Sequence, residues 1–343
     1  RPPRHPVTAA RFGLRALAQG SAAWNIGFRD EVAPAMFTGV AAHAILSMPS
    51  LATAAAGLSL GAYAHARGWP IPVGGSQAIV DAMAVDLIAH GGRIDTGVDV
   101  RSPADIPEAA AVLFDTTPRA LLEIAGRRVP ERYARSFRRF RYGNGVAKID
   151  FALSAPVPWT AEGLRRAGTV HVGGTRSEIA AAERAVARGR HHERPYVLAS
   201  EPTVVDPSRA PEGRHVLWAY THVPAGSDVD QTETVIRQIE RFAPGFRDTV
   251  LASAARTAVE MEAHDPNYVR GDIAGGAASF RQLLARPRLW PDPWRVPGTG
   301  MYLCSESTPP GPGVHGMAGW HAARSALRHT FGIRTDPDLA PGS

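Results

Sequence analysis

The sequence predicts an α/β protein with an inserted α+β region. Helical and extended segments alternate from residue 76 to residue 124, which is typical of an α/β layer. Further along, Val146–Ser154 alternates between apolar and polar residues, as a half-buried strand does. More extended segments follow at Thr169–Val172, Pro195–Glu201 and His215–Val223. The last two flank a turn-rich stretch, so we expect the insertion to hold a mixed, largely antiparallel sheet with helices on one side.

Composition narrows the class of protein. The chain has 343 residues, of which 44% are hydrophobic and 20% are charged. This balance excludes a disordered chain and a coiled coil, and the length favours two domains or one large domain with an insertion. The longest apolar stretch, from Ala41 to Ala64, is interrupted by His43 and Pro49, so no membrane-spanning helix is expected. The single cysteine, Cys304, excludes a disulfide scaffold and a cysteine-based zinc site.

The basic residues are spread along the chain. The net charge is +6, and every basic residue except Lys148 is an arginine. The densest basic run, from Arg132 to Arg141, has aromatic residues between its arginines. Such a run fits a nucleic-acid surface, but it also fits an amphipathic helix whose aromatic side chains point inward. We favour the helix and expect no nucleic-acid partner.

The first 66 residues are predicted to be helical, with an Ala-, Leu- and Met-rich part at Pro34–Ala66. Three interpretations of this part stay open. This part forms ordinary helical core, covers an apolar pocket or contacts a membrane surface. We favour the first interpretation. No charged leader with an apolar centre is visible at the start of the chain, so we expect a cytoplasmic protein, with membrane association as the alternative.

The remaining helices and strands are predicted from residues that typically begin or end such elements. A helix is predicted to begin after Ser76 and to stop at Gly91-Gly92. Short extended pieces are expected at 93–96 and 98–101, and a strand at 110–114. Pro118 opens a helix that runs to Ile124. Two more helices are predicted, at 176–187 and 231–242, and Pro287–Pro297 is expected to be irregular.

The strongest chemical signal lies near the carboxyl end. We predict a buried strand at Met301–Cys304, a loop rich in Gly and Pro, and a helix from Val314 to Phe331. The loop glycines let the backbone approach a ligand, and the helix start offers N–H donors to an anion or an electron-rich ring edge. Glu306, just past the strand, is placed to accept a hydrogen bond from a sugar-like hydroxyl. An ordinary strand-to-helix turn is the alternative interpretation.

Three segments, in order, make the chain similar to a known family. Met301–Met317 resembles the carboxy-terminal flavin motif of the phytoene-desaturase-like oxidoreductases, which belong to the amine-oxidase-like FAD fold. Trp69–Ala78 resembles the glycine pair that precedes a helix in this family. Gly91-Gly92-Arg93-Ile94, followed by Val100, resembles the segment whose valine backbone receives the adenine ring. The resemblance implies a partial FAD/NAD(P)-binding Rossmann-like domain beside a substrate domain.

The resemblance also implies a noncovalently bound FAD and the residues that bind it. Glu306 would bind the ribityl or pyrophosphate region, and the backbone of Val314–Gly316 would face the isoalloxazine carbonyl edge. Val100 would act through main-chain atoms. The implied cofactor-binding set is Val100, Ser305, Glu306, Gly313, Val314, His315, Gly316 and Met317. Family members usually have Gly at the position of Ser305 and Asp or Ala at that of Glu306, so these two side chains depart from the pattern.

One part of such a fold is not found in the sequence. An FAD fold of this kind needs a strand–GxGxxG–helix unit for the pyrophosphate, and no glycine trio here has that context. In the family, this unit is amino-terminal to the segments above. We therefore expect the chain to begin after it, and to hold FAD weakly unless a missing segment or another chain supplies it.

Lys148 is the only catalytic candidate. Together with Pro156, Pro158 and Trp159 it resembles the amine-oxidase strand whose lysine holds a water near flavin N5. The alternative, which we favour, is a lysine on the wet face of a strand, paired with Asp150. The 13 histidines show no HExxH or comparable spacing, so no metal site is expected.

The resemblance implies an FAD-dependent oxidoreductase of desaturase, dehydrogenase or saturase type, acting on a hydrophobic, isoprenoid- or carotenoid-like substrate. The alternative is a non-catalytic fragment or degenerate flavoprotein-fold module that acts in protein interaction. The predicted domains are a helical part of the substrate domain at 1–66, an FAD-domain segment at 67–126, the rest of the substrate domain at 127–290, a second FAD-domain segment at 291–333, and a tail at 334–343. The sequence indicates no oligomeric state.

Overall fold

The computed structural model describes residues 5–337, which form two compact units. Unit 1 comprises the residues up to Gly97 together with Asn144–His264, and unit 2 comprises Val98–Gly143 together with the residues from Asp265 onward. The chain therefore passes from one unit to the other three times. The predicted division into substrate and FAD domains is a functional one, and it stays a prediction. Most of the predicted tail, residues 338–343, lies outside the described residues.

The helices and strands are as follows. The α-helices are α1 (Pro6–Gln19), α2 (Val32–Ala41), α3 (Leu51–Arg67), α4 (Gln77–Ala89), α5 (Pro118–Ala125), α6 (Glu131–Arg138), α7 (Arg176–Ala187), α8 (Thr232–Glu240), α9 (Phe246–Thr249), α10 (Ala258–His264), α11 (Phe280–Leu284) and α12 (Met317–Thr330). The strands are β1 (Val112–Phe114), β2 (Gly145–Leu153), β3 (Thr169–Val172), β4 (Val197–Ser200), β5 (His215–Val223), β6 (Val250–Arg256), β7 (Arg295–Val296) and β8 (Met301–Leu303).

The sheet of unit 1 is antiparallel, as predicted, but helices pack on both of its faces, so the expectation of helices on one side is wrong. Its strand order is β3-β4-β5-β2-β6, and all neighbours are antiparallel. One face buries Ile149, Phe151 and Leu153 of β2 against a core that includes Val235 and Ile239 of α8. This is the face that the alternation along β2 predicts, because successive side chains of a strand point to opposite sides. Strand β6 was not predicted, since its Ala-rich sequence carries no alternation.

The opposite face of this sheet is aromatic and polar. Trp218, Tyr220 and His222 alternate along β5 with the buried Leu217 and Ala219. They lie on the side covered by α2 and α7, where Ala41, Ile179 and Tyr196 form a second core. His222 and Glu183 of α7 form a buried hydrogen bond, with 2.7 Å between Nδ1 and Oε1. Polar groups are thus packed beneath the helices, and Glu183 Oε2, His222 Nε2 and Tyr196 OH are buried there without a hydrogen-bond partner in the described part of the chain.

Unit 2 is a small α/β layer. Strand β1 runs parallel to β8, and β7 pairs antiparallel to β8 on its other side. Met301 and Leu303 pack on one face with Phe114 and residues of α5 and α6. Tyr302 points the other way and packs against Ala322 and Ala326 of α12. The parallel pair between two helical layers confirms the predicted α/β class for this part of the chain.

The basic run forms the amphipathic helix that we favoured. In α6, Tyr133, Ala134 and Phe137 are buried, whereas Arg132 and Arg135 are exposed. The aromatic side chains that interrupt the arginines are therefore the core-facing side of a helix.

The extended pieces predicted at 93–96 and 98–101 are wrong, because the structure shows no strand between α4 and β1. No neighbouring strand pairs with this segment, and Gly97 adopts a positive φ of 73° that interrupts extended backbone. The preceding helix α4 is apolar on all sides and has no buried residue; Ile79, Val80, Met83, Val85, Leu87 and Ile88 are all exposed. No helix within residues 5–337 has both the length and the apolar character needed to cross a bilayer.

Candidate functional site at the carboxyl ends of β1 and β8

The two parallel strands of unit 2 end at one polar cavity. Asp115, Thr116 and Thr117 follow β1, and Ser305, Glu306 and Ser307 follow β8. Together with residues 265–275 they line a cavity of about 240 Å³. Ligands of open α/β sheets bind outside the carboxyl ends of the strands, so the topology makes this cavity a candidate site.

Hydroxyl groups fix the walls of this cavity. Ser305 Oγ donates to Thr116 O at 2.6 Å, which ties the end of β8 to the end of β1. Ser307 Oγ donates to Gly275 O at 2.6 Å. The side chain of Ser305, a predicted cofactor-binding residue, therefore supports the wall through a backbone carbonyl.

Glu306 is the chemically distinctive residue of the cavity. Burial, together with the nearby carboxylates of Asp272, Asp115 and Asp265, raises the pKa of Glu306 to about 7, although the charge of Arg286 lowers it. Burial and the charge of Asp265 also raise the pKa of Asp115. A carboxyl group with a pKa near neutrality both donates and accepts hydrogen bonds at physiological pH. Glu306 therefore suits a hydroxyl-bearing ligand better than a second anion.

Residues 313–316, called the glycine turn below, lie beyond the cavity and are open on their outer side. Gly313 has a φ of 148°, and a Cβ there would lie 2.8 Å from His315 Cδ2, so only glycine fits without a shift of the imidazole. Gly316, at φ 60°, precedes α12, and a Cβ at Gly316 would meet no atom within 4 Å. The side chain of Val314 is 91% exposed. A flat ligand can therefore approach this turn without displacing protein atoms.

The start of α12 offers backbone donors. Gly316 provides no side-chain cap, and His315 Nδ1 accepts only the Met317 amide, at 3.1 Å. Among the described residues, the amides of Ala318 and Gly319 have no acceptor. The helix has 14 residues, and its partial positive charge is concentrated at this end. This donor set matches an electron-rich ring edge, so the turn fits the group that the sequence predicts for it.

The two remaining predicted residues lie away from the cavity walls. Val100 belongs to unit 2 and is 37% exposed in an irregular segment. Lys148 lies on β2 in unit 1, and its ammonium group pairs with Asp150. Lys148 and Asp150 are two residues apart, so their side chains lie on the same face of the strand. This is the arrangement expected for the favoured interpretation, a lysine paired with Asp150.

Sequence reasoning missed most of the cavity wall. Asp115 directly follows a predicted strand, and that position was a usable signal. Asp265, Asn267 and Tyr268 stand in an irregular stretch about 150 residues further on, and no local pattern connects them to β1. Burial raises the pKa of Cys304, next to the site, to about 12, so its thiol stays protonated at neutral pH. No group of three or more His, Cys, Asp or Glu residues in the described ranges is arranged to hold a metal ion.

Comparison with known proteins finds one similar fold and several partial sequence matches. An oxidoreductase from Methanosarcina mazei has a similar fold, with a TM-score of 0.55 over 93% of this chain and 71% of that protein, at 14% sequence identity. The chain is 34% identical over 152 residues to the mouse pyridine nucleotide-disulfide oxidoreductase domain-containing protein 2. It is 32% identical over 127 residues to the 4,4'-diapolycopen-4-al dehydrogenase of Metabacillus indicus.

The sequence matches are partial. They cover 41% and 35% of this chain, and 26% and 25% of the mouse and Metabacillus indicus proteins. The chain thus matches about a quarter of the length of these relatives. It matches no protein-family model. Its sequence relatives are oxidoreductases, and the structural similarity concerns the fold.

Proposed function

We propose that this chain is part of an FAD-dependent oxidoreductase that acts on a hydrophobic, isoprenoid- or carotenoid-like substrate. The observation that carries the proposal is the open glycine turn at the start of α12, next to the cavity at the carboxyl ends of β1 and β8. Relatives named as a pyridine nucleotide-disulfide oxidoreductase domain protein and a diapolycopenal dehydrogenase support it.

Residues of unit 2 would hold the cofactor through backbone and polar groups. FAD, when bound, supplies the hydride-accepting chemistry. The uncapped amides at the start of α12 would stabilise negative charge on the ring edge, as oriented donors in a site do. Glu306 would hydrogen-bond a sugar-like hydroxyl, and its raised pKa removes the repulsion that a fixed negative charge would exert on phosphate. Val100 would contribute main-chain atoms only.

Weak binding of FAD by this chain alone is part of the proposal. The GxGxxG unit that holds a pyrophosphate is not found in these 343 residues. We propose that a preceding segment or a second chain provides it. The matched relatives are long enough to contain such a unit, since the aligned part is about a quarter of their length.

The test is a pair of glycine substitutions at the two ends of α12. Gly316→Val is expected to abolish flavin binding, because the side chain would occupy the open side of the turn. Gly332→Val is the matched control, since Gly332 also has a positive φ and open space around it. Flavin absorbance is measured after purification with FAD, using the chain fused to a GxGxxG-bearing segment of a relative.

Equal flavin content in the two variants would refute the assignment of the turn. A fusion protein that is folded and stays colourless with excess FAD would favour the non-catalytic module instead. The test thereby separates an incorrect site from an incorrect function.

A further inference from the structure

Unit 2 contains a second, larger cavity that the proposed flavin site does not use. It has a volume of about 650 Å³ and lies between the carboxyl-terminal half of α12, residues 290–297 and residues 333–336. The lining residue of α12 nearest to the glycine turn is His321, five residues beyond Gly316, and none of residues 313–316 lines the cavity. The cavity is therefore separate from the glycine turn.

The lining of this cavity is positively charged. Four arginines and two aspartates face it, which leaves a net charge of +2 with neutral histidines. One pair is satisfied internally, because Arg324 Nε lies 2.5 Å from Asp336 Oδ1. Asp292 accepts a hydrogen bond from Ser325 and faces His329 at 3.5 Å. Asp336 is thus paired with Arg324, whereas Asp292 uses Oδ2 and its buried Oδ1 has no hydrogen-bond partner among the described residues, so neither acid pairs with the other three arginines.

Three guanidinium groups remain without an acidic partner. Arg295, Arg328 and Arg334 form no ion pair with any residue in the part of the chain that the structure describes. Like charges that share one cavity repel each other, and an anion in the cavity relieves this repulsion. Guanidinium groups bind phosphate oxygens through paired N–H donors, so a phosphate dianion matches the net charge of the lining and the chemistry of these groups.

Aromatic rings form the rest of the wall. Trp290 is 44% exposed, and the guanidinium of Arg288 lies 5.0 Å from its ring centroid. Trp294 stacks on His321 with 4.7 Å between ring centroids, and its indole N–H donates to Pro309 O. Trp294 is thereby fixed, whereas the exposed ring of Trp290 is available to stack on a planar ligand.

We propose that this cavity binds a nucleoside phosphate. Its guanidinium groups bind the phosphate, and the ring of Trp290 stacks on the base. A simple phosphate would use the arginines and leave the indole in water, whereas a purely aromatic ligand would leave three cations unpaired. A nucleotide satisfies both parts of the wall at once. The inference is independent of the flavin proposal, because none of these residues belongs to the glycine turn.

The experiment is calorimetric titration of the chain with ADP, pyrophosphate and adenosine. Arg328→Gln and Arg334→Gln are each expected to weaken ADP and pyrophosphate binding by about tenfold, the loss of one charged contact. Trp290→Ala is expected to weaken ADP binding and leave pyrophosphate binding unchanged. Both arginines are exposed, so their substitution leaves the fold intact.

Two controls make the result decisive. Arg281→Gln removes the same charge from an exposed position of unit 2 outside the cavity, and less than a twofold change is expected. Gly316→Val should leave ADP binding unchanged, whereas a loss would place the nucleotide at the flavin turn and overturn the inference. Equal losses in Arg281→Gln and Arg328→Gln, or no binding of ADP at millimolar concentration, would also overturn it.

Discussion

Glu306 and the pair His43–His171 are half-buried titratable residues with opposite effects on stability. A carboxyl group whose pKa is raised on folding stabilises the protein at low pH, whereas a histidine whose pKa is lowered on folding stabilises it at high pH. Burial raises the pKa of Glu306 to about 7 and lowers those of His43 and His171 to about 4 and about 3. Each residue therefore leaves a separate signature in the pH dependence of unfolding.

Glu306→Gln is expected to stabilise the protein at alkaline pH. The ordinary pKa of a glutamate is 4.5, so the folded wild type holds its proton more tightly than the unfolded chain and loses stability as pH rises through 7. The difference in unfolding free energy between variant and wild type should grow by about 2 kcal/mol from pH 5 to pH 8. Urea unfolding at both pH values measures it. The exposed Glu108→Gln is the control, and equal behaviour of the two variants would contradict the buried carboxyl.

The pair His43–His171 is expected to make unit 1 sensitive to acid. The two Nε2 atoms lie 2.9 Å apart, and burial lowers both pKa values below the ordinary 6.5. Below pH 6.5 both histidines become protonated in the unfolded chain but stay neutral in the folded state. The free energy of unfolding is therefore lower by about 2 kcal/mol per histidine at pH 5.

His43→Gln keeps a hydrogen-bonding group beside His171 and removes one of the two titrations. The loss of stability between pH 7 and pH 5 should therefore shrink by about 2 kcal/mol in this variant. His264→Gln, at an exposed position, should leave the loss unchanged. A steep pH dependence that survives in His43→Gln would show that other groups cause it.

At the scale of elements, the contact between α2 and β3 depends on a glycine. A Cβ at Gly39 would lie 2.9 Å from His171 Cβ, whereas at Gly61 in α3 it would meet nothing within 4 Å. Gly39→Ala is expected to destabilise the protein by about 1 to 3 kcal/mol through overpacking. Gly61→Ala should stabilise it by up to about 1 kcal/mol, because alanine restricts the unfolded chain. Chemical denaturation compares the pair, and a destabilising Gly61→Ala would refute this reasoning.

Elements with a strong local pattern were predictable. Helix α7 begins with a capping box between Thr175 and Glu178, and its predicted range is the observed one. Strand β2 was predictable from the alternation of apolar and polar residues along it, and the same alternation placed Lys148 on one face with Asp150. Strand β6 and the irregular stretch after His264 carry no such pattern, because distant segments of the chain determine their conformation. The same limit explains the site, where the glycine turn was found and the cavity wall around Asp265 was not.

At the scale of the whole molecule, the predicted α/β layer and the antiparallel insertion are both present. The two parts alternate along the chain, and each of the two units therefore combines two separate segments of it. Composition and local patterns reveal layers, but they do not reveal which distant segments meet. The pairing of β1 with β8 was therefore beyond sequence reasoning, even though both strands were predicted.

That pairing has a consequence for the synthesis of the protein on the ribosome. Val112 is paired with Met301, so the parallel ladder of unit 2 cannot form until nearly all of the described chain has emerged. The five-stranded sheet of unit 1 lies between them in sequence, and its strands are complete by Arg256. If it folds first, it brings the two ends of the long intervening segment closer and lowers the entropic cost of closing that loop. The order of translation thus favours the insertion as the first part to fold.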